Sequence, residues 1–84
     1  MDYNEMRFVV NHWLRDRCAT DDKMAVTNLT TLFNSLKIYM HGHEDQRNIL
    51  RANFVSILEE NGHKPFRKYT SWPWLFQGLK LKDT

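Results

Sequence analysis

The dipeptide Asn61-Gly62 separates two kinds of sequence, and that division constrains the fold more than any other feature of the chain. Before it, apolar residues recur at three- and four-residue steps, the period of a helix with one buried side. After it, Pro65 and Pro73 oppose helix. Leu79 and Leu81 then alternate with Lys80 and Lys82, as in a half-buried strand. A chain of 84 residues must place both kinds around one modest core. The expectation is one α+β domain over residues 1–84.

The periodicity predicts three helices. Residues 3–17 place Met6, Val10, Trp13, Leu14 and Arg17 along one side, with Cys18 as a small buried residue at the end of the stripe. A polar loop over residues 19–23 follows, then a stub of strand at residues 24–26. Thr27 or Asn28 offers an oxygen to cap a second helix over residues 29–40. Its inner face reads Leu29, Leu32, Phe33, Leu36, Tyr39 and Met40, and Gly42 ends it. Glu44 and Asp45 suit the start of a third helix over residues 46–61, with Leu50, Phe54, Ile57 and Leu58 buried and Gly62 as the stop. Beyond it, residues 64–69 and 75–81 read as a β-hairpin around a turn at Thr70-Ser71-Trp72-Pro73, and Gly78 marks a bulge or a close backbone approach.

Helix, strand stub, helix, helix, hairpin is the plan of a winged helix-turn-helix: three helices, a C-terminal β-hairpin wing and a short third strand. The chain also resembles the winged-helix domain at the C-terminus of phage, plasmid and poxvirus-type primase-helicases. Residues 13–18, Trp-Leu-Arg-Asp-Arg-Cys, resemble the end of that family's first helix. Residues 27–33, Thr-Asn-Leu-Thr-Thr-Leu-Phe, are similar to its strand-to-helix junction, and Phe54, Leu58 and Gly62 keep the spacing of its third helix and stop. Residues 76–81 resemble its closing strand, with Phe76 where the family usually has Trp. The resemblance implies a DNA-binding accessory domain in replication initiation, joined in the family to a motor and a priming module. It thereby implies two partners: DNA, as duplex or junction, and a larger replication protein.

Charge distribution bears on the same question. Residues 1–46 hold five Lys/Arg against seven Asp/Glu, whereas residues 47–84 hold seven against three. Such asymmetry hints at a face for a polyanion. The densest cluster is Lys64, Arg67 and Lys68, with His63 beside it and Lys80 and Lys82 as additions from the return strand. Tyr69, Thr70, Ser71 and Trp72 fall at the tip of the expected wing, and Trp74 and Phe76 are expected to pack on the core. On the third helix Arg47, Asn48 and Arg51 have the chemistry to reach bases or phosphates. The outer face there, Asn48, Ala52, Val55, Ser56 and Glu59, is nearly neutral, which weakens the case for major-groove reading. Thr27, Asn28 and Thr30 suit either a phosphate or plain capping.

Other chemistry finds little footing. The chain is 42% hydrophobic and 13% aromatic, a globular composition, and its longest apolar runs, such as residues 8–10 and 74–76, are far too short to cross a membrane. Asp2 and Glu5 precede any apolar stretch, unlike a secretory signal, and one cysteine makes no internal disulfide, so an intracellular setting is expected: the cytoplasm of a bacterial host, or a viral replication site. His41, His43, His12 and His63 lack the pattern of a zinc site, and no triad or carboxylate pair converges. No enzyme activity, metal or cofactor is expected. The competing reading is a winged helix used for protein–protein contact, through the apolar Ile49, Ala52 and Val55, extended by Ile38.

Overall fold

The computed structural model describes residues 2–40 and 49–82. They form α1 (Tyr3–Arg17), β1 (Cys18–Ala19), β2 (Val26–Asn28), α2 (Leu29–Tyr39), α3 (Arg51–Glu60), β3 (Leu75–Gln77) and β4 (Lys80–Leu81). This is an α+β fold of three helices and two small antiparallel sheets, with β1 on β4 and β2 on β3. Its radius of gyration is 12.4 Å, close to the value of about 12 Å expected for a compact chain of this length.

Each helix begins or ends for a local reason. Asp2 caps α1 by accepting the Glu5 N–H at 2.8 Å. Asn28 caps α2 by accepting the Thr31 N–H at 2.7 Å. At the end of α3, His63 N–H donates to Leu58 C=O and Gly62 N–H to Glu59 C=O, the paired bonds of a Schellman turn. Gly62 takes φ +88° there. The helices meet over Trp13, Phe33 and Phe54, whose ring centroids lie 5.4–5.5 Å apart in the two contacts that Phe54 makes. Trp13 buries its indole N–H by donating to Ser35 Oγ at 3.0 Å.

The third helix starts later than its sequence period implies. Leu50 is its N-cap residue, in extended backbone at φ −91°, ψ 129°. Its apolar phase therefore does not extend back to residues 49 and 50. Leu50 is 60% exposed and Ile49 is 8% exposed, the reverse of the expectation for both. Gly42, Glu44 and Asp45 lie outside the described residues.

The expected hairpin is reduced to one bridge. Phe66 and Leu75 exchange both backbone hydrogen bonds at 2.8 Å. In an antiparallel ladder the next hydrogen-bonded pair on the turn side would be Lys68 with Pro73. Proline has no N–H to give, so pairing stops. On its other edge β3 pairs with β2, matching Val26 to Gln77, Thr27 to Phe76 and Asn28 to Leu75. The strand stub thus exists, at Val26–Asn28 rather than residues 24–26, and it makes the longer ladder.

Residues 75–81 are two strands, not one. Gly78 at φ +78° separates β3 from β4, and β4 pairs instead with β1, Cys18 to Leu81 and Ala19 to Lys80. Residues 20–25 bulge out of one side of this ribbon against only Gly78 and Leu79 on the other. The bulge is held by Gly78 N–H donating to Ala25 C=O at 2.7 Å and Thr27 Oγ1–H donating to Leu79 C=O at 2.8 Å.

Candidate nucleic-acid interface

The single bridge at Phe66 and Leu75 fixes what surrounds it. Continuing its register by one residue sets Arg67 opposite Trp74 at a non-hydrogen-bonded position, where side chains come closest. The Arg67 guanidinium lies over the Trp74 ring, 4.1 Å from its centroid. The same register puts the tip of the turn between Thr70 and Ser71. Trp72 N–H donates to Tyr69 C=O at 3.0 Å, and the two rings meet edge to face at 5.1 Å and 76°. Lys68 Nζ sits 5.5 Å from the Tyr69 centroid, and an Arg67 N–H donates to Thr70 C=O at 3.3 Å.

Lys64, Arg67, Lys68, Thr70, Ser71 and Trp72 are all exposed. No ion pair joins Lys64, Arg67 or Lys68 to a carboxylate among the described residues. Arg17, Lys23 and Arg51 likewise lack a carboxylate partner among the described residues, but three other surface cations differ. Arg7 pairs with Glu60, Arg15 with Asp16 and Lys80 with Asp22. Lys80 is therefore engaged, and Lys82 Nζ donates to Arg15 C=O at 2.8 Å; neither adds to the cluster as expected. Burial holds the His63 imidazole below its ordinary pKa, so it contributes little charge near neutral pH. Three of the cations that local acids leave uncompensated, Lys64, Arg67 and Lys68, lie on or beside the turn.

Arg51 opens α3, with its guanidinium 5.1 Å from the Phe33 ring centroid. It lines a groove of about 540 Å³ with Leu29, Ala52, Val55, Glu59, Pro65 and Trp74. Trp74 joins the two halves of the site, since it lines this groove and carries Arg67 on its ring. Glu59 places a negative charge in the same groove and opposes an anion there. Arg47 and Asn48 lie outside the described residues. Asn28 spends its side chain on capping and Thr27 donates to Leu79 C=O, so capping is the reading that geometry favours for Asn28.

Phe76 is fully buried, as expected, but Trp74 is 41% exposed. Sequence reasoning places both on the core, as hairpin aromatics packed against the helices. The usable signal was Pro73: it ends the ladder at Phe66–Leu75, so Trp74 falls on the turn side of the last bridge. Cys18 is buried, and desolvation pushes its thiol up to about 12, which removes it as a nucleophile. His41 and His43 lie outside the described residues, and the described residues contain no cluster of His, Cys, Asp and Glu able to hold a metal. No helix among them is long and apolar enough to cross a membrane.

Comparison of the chain with known protein families, with curated proteins and with solved structures returned no match.

Proposed function

We propose that this chain is a winged-helix DNA-binding domain of the replication-initiator type, with the turn over residues 66–75 as its wing. Support for the fold comes from strand order: β3 lies between β2 and the Phe66 bridge, as the third strand of a winged helix lies between its first and second. The observation that carries the DNA reading is the trio Lys64, Arg67 and Lys68, exposed and without carboxylate partners among the described residues. Thr70 and Ser71 at the tip add hydroxyl donors, and Arg51 adds a cation from α3. Affinity then comes mainly from phosphates, with modest sequence preference. The link to replication rests on the resemblance to primase-helicase C-terminal domains alone.

Fluorescence anisotropy with a labelled duplex tests this. If about five side chains meet phosphates, the slope of log affinity against log salt is on the order of −4 to −5. Changing Lys64, Arg67 and Lys68 together to Ala abolishes retention of duplex and leaves the circular dichroism melt unchanged. A flat salt response, or undiminished binding by the triple variant, would falsify the reading.

A second reading is a winged helix that contacts protein. The apolar groove beside α3 favours it, as does Ile38, 75% exposed on α2. Its expected anchor Ile49 is buried, which removes one residue from that surface.

A further inference from the structure

Four aromatic residues crowd into the turn, Phe66, Tyr69, Trp72 and Trp74, and they are exposed by 39, 53, 41 and 41%. Single exposed rings are ordinary on a protein surface. Four within nine residues, interleaved with Lys64, Arg67 and Lys68, are not accounted for by the core, because Phe76 fills that place completely. We propose that this turn is a stacking platform for unpaired DNA, on which bases lie against Trp72, Tyr69 and the Arg67–Trp74 stack while Lys64 and Lys68 meet the phosphates. The proposal rests on the DNA-binding reading above and names the form of DNA that the same site selects.

The reasoning turns on which surface each form of DNA presents. In a duplex the bases are stacked on one another and offer only their edges and the backbone. An unpaired strand offers base faces, and these stack on aromatic rings or on guanidinium planes whatever the sequence. The turn has both kinds of plane. The Arg67 guanidinium carbon sits 4.1 Å over the Trp74 ring centroid, which joins a cation and a ring into one surface. Tyr69 and Trp72 meet edge to face, so each keeps a face that the other does not cover.

The backbone that carries the rings is tied before any ligand arrives. Phe66 and Leu75 close the turn with two backbone bonds, Trp72 N–H is tied to Tyr69 C=O, and Trp74 C=O accepts from Leu29 N–H at 2.8 Å. Binding therefore spends little on ordering the platform. Cations without acidic neighbours complete it, since a strand that stacks must also bring its phosphates close.

Tryptophan emission reads the proposal directly, because Trp13 is fully buried and supplies a constant background. The intact chain is titrated with oligo-dT of about a dozen nucleotides, a length within the usual span of single-strand sites, and with a blunt duplex and a fork carrying oligo-dT arms. The expected result is quenching by oligo-dT and tighter binding of the fork than of the blunt duplex. Trp72→Ala and Trp74→Ala each weaken oligo-dT binding by roughly tenfold, and Trp72→Phe restores most of it. Should Trp74→Ala unfold, the Trp72 pair of variants decides alone, as that ring lies outside the core. Equal affinity for fork and blunt duplex, or Ala variants that bind oligo-dT as the parent does, overturns the platform and leaves the duplex reading standing. Tighter binding of oligo-rU than oligo-dT overturns the choice of DNA. Failure to bind any of these oligonucleotides overturns both readings.

Discussion

Gly62 and Gly78 sit in left-handed backbone, at φ +88° and +78°, and a Cβ at either position would meet nothing within 4 Å. The requirement for glycine is therefore conformational and not steric. Gly62→Ala and Gly78→Ala are each expected to cost about 1–2 kcal/mol in urea unfolding, and Gly62→Asn less, because Asn tolerates that region. A penalty as large for Asn as for Ala at position 62 would mean that space and not backbone governs the site. Asn61-Gly62 was legible as a stop from the dipeptide itself. Cys18 was equally legible as a buried residue at the end of the α1 stripe, and it is 4% exposed. With its thiol raised to about 12 by burial, iodoacetamide at about pH 8.5 should label the native chain only as fast as it opens, and label it promptly in denaturant. Prompt labelling of the native chain would show that the thiolate forms in place.

The elements are joined by a few polar ties between helices that the apolar pattern did not announce. Glu60 at the end of α3 accepts from Arg7 Nε at 2.8 Å, from a second Arg7 N–H at 3.1 Å and from Tyr3 Oη at 2.9 Å, linking α3 to α1. Arg7, and after it Tyr3, hold the Glu60 carboxyl below its ordinary value. Tyr39 of α2, and after it Arg15, do the same for Asp16 of α1. The folded chain thus releases both protons at lower pH than the unfolded chain does. Their contribution to stability is present above the ordinary carboxylate range and is lost as pH falls through the lower folded values. Thermal melts between about pH 5 and pH 3 should show the parent losing stability more steeply than Glu60→Gln. Parallel profiles would mean the tie contributes nothing measurable, as exposed pairs often do. At this scale the sequence predicts α1 to its observed limits and α2 to within a residue, because both carry a cap and an unbroken stripe. It misplaced the start of α3, because Leu50 continues the stripe in sequence while its backbone is extended.

Across the whole molecule, strands from opposite ends of the sequence close the fold: β1 follows α1 directly and pairs with β4, more than sixty residues further on. Leu79, in the short link between β3 and β4, is fully buried. Leu79→Ala is expected to cost about 2–5 kcal/mol, a large share of the stability of so small a domain, and a urea titration measures it; a loss near zero would place Leu79 outside the cooperative core. The amphipathic period, the caps and the glycines determined by themselves three helices, an α+β class and the core they share, because those signals act within a few residues of where they are written. Only the tertiary structure decided that residues 75–81 divide between two partner strands, and that Lys80 and Lys82 are engaged while Lys64, Arg67 and Lys68 find no acidic partner among the described residues. Those outcomes depend on which distant backbone edge and which distant carboxylate come within a few ångströms, and no local pattern specifies that.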